Sequence, residues 1–274
     1  MSLLRAVERS AYRVRHSRAL GNSEWLWRVV RPFYEGVIQW GGRRGLVRNL
    51  NGSDVILVHP RWRQTPEHYE PEIWRVLMDA VTKGDCVVDV GAWIGLHAVA
   101  FGKRVGPEGS VIALEPDPEN RRHLSEHIRL NGVGETVTVL PVAAGDRTAL
   151  VRFASDGTSQ SHIEAGGASH GGDSAVCVPL DELLPRARVA VLKIDVEGYE
   201  EKVLAGAARL LADPERRPRL ICVEVHPYAW ADAGTTSESL LGALTRHGYE
   251  VRGTDGRAVS AVERYGHVFA VGPG

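Results

Sequence analysis

No stretch of this sequence is apolar for long enough to cross a membrane or to serve as a secretory leader, because arginines interrupt the first forty residues throughout. The expectation is a cytoplasmic protein without a transmembrane segment. Cysteine is scarce. The three present, Cys86, Cys177 and Cys222, are odd in number, widely spaced and never in a Cys-x-x-Cys pair. That pattern excludes a zinc ribbon or a dithiol redox motif and leaves buried thiols in a reducing compartment. A surplus of charge is missing too, with 33 Lys and Arg against 34 Asp and Glu. A dedicated nucleic-acid binder draws most of its non-specific affinity from surplus cations, so no nucleic-acid partner is expected.

What is present is a chain of 274 residues, enough for one full-sized core and an appendage at roughly 150 residues per domain. Residues 1 to about 40 place apolar side chains such as Val7, Leu20, Leu26, Val29 and Phe33 among arginines at helical intervals. Such a segment can lie on a membrane surface, but is more often a lid or a dimer contact that tucks its apolar face onto its own protein, so a homodimer is one partner state it allows. Gly41, Gly42 and Gly45 end it, and Asp54 to His59 reads as a short strand before Pro60. The expected division is an N-terminal helical extension and cap strand over 1–66, followed by a Rossmann-like α/β domain over 67–274.

From Pro71 helices and apolar strands alternate, the mark of a parallel sheet covered on both faces. A helix over 71–82 precedes strands at Cys86–Val90, Ser110–Glu115, Val137–Pro141, Val189–Asp195 and Leu220–His226, with helices near 95–104, 118–131, 197–212 and 237–247. Tyr249–Arg252 and Val268–Val271 lie too close together for a helical crossover and read as a C-terminal antiparallel pair. The glycine-rich region 156–173 reads as a flexible loop and a candidate substrate lid.

Two places carry chemistry. In the first, Cys86-Val87-Val88-Asp89-Val90-Gly91-Ala92-Trp93-Ile94-Gly95 is a buried strand running into a tight turn before a helix. Glycine is needed where backbone approaches a ligand or takes a positive φ, so Asp89, Gly91, Ala92 and Gly95 are assigned to a cofactor turn. Twenty residues beyond Gly95, Glu115 closes the second strand, where a carboxylate can accept hydrogen bonds from both ribose hydroxyls of an adenosine ligand. A dinucleotide fingerprint wants glycine at its third and sixth places, here Trp93 and Leu96. That leaves little room for a pyrophosphate, whereas S-adenosylmethionine has no phosphates and tolerates the bulk. Ala143 would floor the adenine and Asp146 would offer it a polar partner.

The second place is Leu192-Lys193-Ile194-Asp195-Val196-Glu197-Gly198-Tyr199-Glu200, the densest polar cluster, at the carboxyl end of an otherwise apolar strand where open α/β sheets bind ligands. Lys193 and Asp195 alternate onto one face, either as a structural ion pair or with Asp195 in an active site. On the next strand Glu224 and His226 also share a face. Two roles are open. His226 can be the general base, with Asp195 and Glu224 orienting it, or Asp195, Glu224 and His226 can hold a divalent ion, magnesium or manganese. His162 and His170 are weaker alternatives for the base.

Taken together, Asp89-Val90-Gly91-Ala92-x-x-Gly95, Glu115-Pro116 and Lys193-Ile194-Asp195-Val196-Glu197-Gly198-x-Glu200 resemble the FkbM family of methyltransferases over roughly residues 67 to 271. The resemblance implies a class I methyltransferase sheet and transfer of a methyl group from S-adenosylmethionine, usually to an oxygen of a sugar, oligosaccharide or polyketide-type natural product, with nitrogen acceptors such as amino sugars also known. This chain departs from the family at Trp93, where Asn is common. Three rivals remain. A nicotinamide-dependent oxidoreductase is disfavoured by the missing glycines. A non-catalytic binding protein is disfavoured by the intact acidic positions. A nucleic-acid methylase is disfavoured by the balanced charge and by the lack of an Asn/Asp-Pro-Pro-aromatic tetrapeptide.

Overall fold

The computed structural model describes residues 44–155, 161–163, 173–184 and 186–273, with residues 28, 29, 32 and 36. Of the helix expected over residues 1 to about 40, residues 28, 29, 32 and 36 are among them and helical, and the rest lies outside them. The chain divides into two compact units, one up to Tyr69 and one from Glu70 onwards.

In the first unit β1 (Leu46–Leu50) and β2 (Asp54–Val58) form an antiparallel hairpin in which Leu50 pairs with Asp54. Only β2 was expected. The missed signal is Asn51-Gly52, whose φ values of 53° and 75° make the mirror-image turn that matches strand twist. Asn51 also closes a two-way amide bond with Tyr69, donating from Nδ2 to its carbonyl (2.7 Å) and accepting its N–H at Oδ1 (3.0 Å).

The second unit is built on a seven-stranded sheet. In chain order its strands are β3 (Cys86–Val90), β4 (Ser110–Leu114), β5 (Val137–Leu140), β10 (Val191–Ile194), β11 (Leu220–Val225), β12 (Glu250–Gly253) and β13 (Gly266–Val271); in space they run β5-β4-β3-β10-β11-β13-β12. The five expected strands are parallel, and β13 runs antiparallel to both β11 and β12, between them. The fold is therefore the expected Rossmann-like class I methyltransferase sheet, with the C-terminal antiparallel pair in place. Order reverses at β3, so the crevice beside Gly91 is the switch point where such sheets bind ligands.

Helices α1 (Pro71–Ala80), α2 (Leu96–Val105), α3 (Pro118–Asn131), α4 (Leu180–Leu183), α5 (Glu200–Ala205), α6 (Ala208–Ala212), α7 (Trp230–Ala233) and α8 (Ser237–Thr245) complete the unit. Alternation along the strands sorts the residues. Val88, Val90, Leu192, Ile194, Ile221 and Val223 enter one core with Val203, Leu204, Leu210, Leu211, Leu240 and Leu244 of the helices. Each such side chain contributes about 1.5–3 kcal/mol of burial. Asp89, Lys193 and Glu224 fall on the other face.

A second sheet, β6-β9-β7-β8, was not foreseen. It consists of β6 (Val142–Ala144), β7 (Ala149–Ser155), β8 (Ser161–Ile163) and β9 (Asp173–Val178). The loop reading of 156–173 is corrected at two points: Ser161–Ile163 pairs with Phe153–Ser155, and Asp173 opens β9. Their short alternation was hidden by the surrounding glycine and serine. His162 thus lies in β8, while His170 lies outside the described residues. Among the described residues no helix is long and apolar enough to cross a membrane.

The helix expected over 197–212 breaks into α5 and α6 around Gly206 and Ala207. A Cβ on Gly206 would sit 1.9 Å from the carbonyl oxygen of Gly145, so the break brings the helical layer onto the turn after β6. Gly206→Ala is expected to lower stability by about 2 kcal/mol or more, a size typical of enforced steric strain. Urea unfolding followed by circular dichroism should show a lower midpoint with an unchanged slope.

Candidate active site

The glycine turn is dictated by close contact. A Cβ on Gly91 would lie 1.7 Å from the carbonyl oxygen of Asp195, and one on Gly95 would lie 2.1 Å from Leu124 Cδ1; both glycines have positive φ, 78° and 84°. The first contact ties the end of β3 to the end of β10, bringing the two sequence clusters together. Trp93 also has a positive φ, 49°, a region that suits Asn far better than an aromatic residue. Its backbone N–H donates to Glu115 Oε2 at 2.7 Å.

Glu115, 4% exposed, also accepts from Asp117 N at Oε1, 2.9 Å. Burial raises its carboxyl to about 7 against the hydrogen bonds that lower it. Asn120 Nδ2 donates weakly to Oε1 at 3.5 Å, so of about four acceptor positions on the carboxylate the one left open is on Oε2, where a ligand hydroxyl can donate. Asp89 is 1% exposed and neither of its oxygens has a hydrogen-bond partner; Lys193 Nζ stands 3.7 Å away. Burial pushes the Asp89 carboxyl up while Lys193 pulls it down. A buried acid so placed calls for a further donor, which the ammonium or hydroxyls of a nucleoside ligand could supply. These residues fit S-adenosylmethionine.

Ala143 and Asp146 fall differently from the turn residues. Ala143 belongs to β6 of the second sheet, and Asp146 pairs with Lys202 (3.6 Å) and Arg147 (3.8 Å).

Lys193 joins the two halves of the site. Its ammonium lies 3.0 Å from Asp195 Oδ2 as well as 3.7 Å from Asp89. Burial alone would lower its pKa, but Asp195, Asp89 and Glu224 raise it well above the ordinary lysine value, so it is a fixed cation. Asp195 is raised to about 7 by burial and the Glu224 charge, against Lys193. Of the two readings foreseen for Asp195, the ion pair with Lys193 is formed.

Glu224 is taken up by neighbours from β13. Its Oε1 accepts from the Tyr265 hydroxyl, and His267 Nε2 lies 3.3 Å from Oε2. Burial would raise its carboxyl, but His267, Tyr265 and Lys193 together hold it well below the usual range.

His226, 1% exposed, has its Nδ1 at 2.7 Å from Glu200 Oε1. Glu200 is wholly buried and accepts in addition from Gly198 N (2.8 Å) and Trp230 Nε1 (2.9 Å). With Glu200 accepting from all three donors the proton of this pair lies on Nδ1, and Nε2 faces Glu197 Oε2 (3.5 Å) and Glu224 Oε1 (3.9 Å). Burial lowers the His226 pKa, but Glu200 and Glu197 outweigh it and the net shift is upward. Glu200 is the partner that sequence reasoning missed. Its signal was its spacing, three residues after Glu197 in the first turn of α5. Glu197 itself has a φ of 51°, a strained placement that carries its carboxylate toward His226 and Tyr228, whose hydroxyl donates to Oε2 at 2.7 Å. Asp195, Glu197 and His226 each offer a ligand atom, all within 4.8 Å of one another.

The methyltransferase FkbM domain model matches residues 89–251, running from the orphaned Asp89 through the His226 cluster into β12. The chain belongs to the FkbM methyltransferase family. It is accordingly an S-adenosylmethionine-dependent methyltransferase. Among curated proteins this FkbM chain is 29% identical to the hexuronic acid methyltransferase AglP of Haloferax volcanii over 182 residues, 63% of this chain and 69% of that one. It is 28% identical to the AMB antimetabolite synthetase AmbE of Pseudomonas aeruginosa over 233 residues, covering 69% of this chain but 10% of that protein. A solved FkbM methyltransferase from Methylobacillus flagellatus aligns over 70% of this chain and 44% of its own, with 20% identity and a TM-score of 0.45. The chain thus spans less than half of that solved protein.

An ionised carboxylate accepts hydroxyl donors better than a protonated one, and burial pushes the Glu115 carboxyl up to about 7; a Glu115 assigned to a ribose predicts that S-adenosylhomocysteine binds several-fold more tightly at about pH 8 than at about pH 6. Calorimetry should show that Glu115→Gln binds at least about tenfold more weakly and loses this Glu115-dependent part of the pH dependence. Equal affinity in the variant would remove Glu115 from the ribose site.

Proposed function

We propose that this methyltransferase acts on a hydroxyl oxygen of a sugar, an oligosaccharide or a polyketide-type natural product, with His226 as the general base. The observation that carries the proposal is the His226–Glu200 pair, 2.7 Å apart and buried at the carboxyl ends of β10 and β11. The carbohydrate reading draws on the likeness to AglP, a hexuronic acid methyltransferase.

S-adenosylmethionine, when bound, supplies an electrophilic methyl group on a sulfonium. The chain's residues then have three tasks. Asp89, Gly91, Ala92, Gly95 and Glu115 hold the nucleoside at the switch point. Glu200 keeps the imidazole in the tautomer that leaves Nε2 without a proton, and stabilises the imidazolium once Nε2 has taken the acceptor proton. Lys193 holds Asp195 at the mouth of the site, where its carboxylate can position the acceptor. Alignment of oxygen and methyl contributes most of the rate, since displacement needs little further chemistry from the protein. An amine acceptor, as on an amino sugar, would use the same base.

A second reading rests on the convergence of Asp195, Glu197 and His226 within 4.8 Å. Of the trio first considered, Glu224 is engaged by Tyr265 and His267, and Glu197 stands nearer to His226. Magnesium or manganese there would acidify and orient the acceptor.

With tritiated S-adenosylmethionine and a panel of glycosides, His226→Ala should lose about a hundredfold or more in kcat while S-adenosylhomocysteine affinity is unchanged. A base works only when unprotonated, and the His226 pKa is raised, so kcat/KM should climb with pH through a midpoint above the ordinary histidine value of about 6.5. Glu200→Gln should move that midpoint down. Turnover that survives EDTA supports the base; turnover lost to EDTA and restored by manganese supports the ion.

A further inference from the structure

Two tyrosines flank the imidazole without being part of the core. The ring centroids of Tyr228 and Tyr265 lie 5.7 Å and 5.4 Å from that of His226, and the two residues are 65% and 57% exposed. Large aromatic residues at such exposure forgo burial that would stabilise the fold. Their hydroxyls are nonetheless fixed, Tyr228 on Glu197 Oε2 and Tyr265 on Glu224 Oε1, so what each presents to solvent is ring. Around them stand Asp195, Glu197, Glu200 and Glu224, against one permanent cation paired to these groups, Lys193, which Asp89 and Asp195 already share.

Resting on the reading of a sugar acceptor, we infer that Tyr228 and Tyr265 form the acceptor subsite and that it selects a ring bearing no acid group. The apolar C–H face of a pyranose stacks on an exposed tyrosine ring, which brings a hydroxyl of that ring to the Nε2 side of His226. A carboxylate on the same sugar would enter beside several like charges in a partly desolvated site, where like-charge juxtaposition is strongly unfavourable. This acceptor differs in charge from a hexuronic acid.

The test is saturation-transfer NMR and calorimetry on the S-adenosylhomocysteine-loaded protein in EDTA, with methyl glucoside, methyl glucosaminide and methyl glucuronide as probes. The expected result is binding of the glucoside or the glucosaminide, with the glucuronide at least about tenfold weaker. Tyr228→Ala and Tyr265→Ala should each weaken sugar binding by about tenfold and leave S-adenosylhomocysteine affinity unchanged. Glucuronide binding as tight as the others overturns the charge selection and leaves the sugar reading standing. Unchanged sugar affinity in both variants overturns the subsite. Binding of none of the three overturns the sugar reading itself, and this inference with it.

Discussion

One buried ammonium holds the site together. Lys193 sits in the middle of the sheet with Asp89 on the neighbouring strand and Asp195 two residues further along its own. A lone lysine or a lone aspartate there would cost several kcal/mol of desolvation, and removal of one partner from such a pair costs roughly 3–5 kcal/mol. The three are acceptable only as a set. That set spans the gap between the strand that carries the nucleoside turn and the strand that carries the acceptor cluster, so the electrostatics of the two halves are settled in one place.

The same logic spreads outward along that face of the sheet. Asp195 lies level with Glu224 on β11, and Glu224 is paired in register with His267 on β13. From there His97 of α2, 6% exposed, feels both Lys193 and His267, and with burial this holds its pKa well below the ordinary value. A row of polar side chains thus crosses four elements, while Val88, Val90, Leu192, Ile194, Ile221 and Val223 on the opposite face enter the apolar core. The outcome is a sheet buried by apolar side chains on both faces, with Val87, Val111, Val191 and Cys222 beside the polar row, and with charge matching added on one face toward the carboxyl ends of its strands.

Much of this was legible in the sequence because it is local. Cys86 to Gly95 reads as strand and turn in ten residues with a helix directly after, and Glu115 follows at a distance set by one helix and one strand. The five parallel strands and the closing antiparallel pair followed from spacing. What escaped depends on register between distant segments. Glu200 faces His226 across 26 residues, Tyr265 reaches Glu224 across 41, and nothing in either neighbourhood announces the partner. The second sheet escaped for a different reason. Its strands are short, and the glycine and serine between them outweigh three residues of alternation at Ser161–Ile163 in any local reading.

The position of β13 gives the order of the sheet a temporal meaning. It follows both β11 and β12 in the chain, yet it lies between them. During synthesis those two strands must each wait with an open edge, the kind of surface that recruits stray strands. His267 and Tyr265 arrive with β13 or just ahead of it. Until they do, Glu224 lacks the two neighbours that β13 brings, and a growing chain that has already closed its glycine turn still holds an incompletely paired carboxylate at the end of β11.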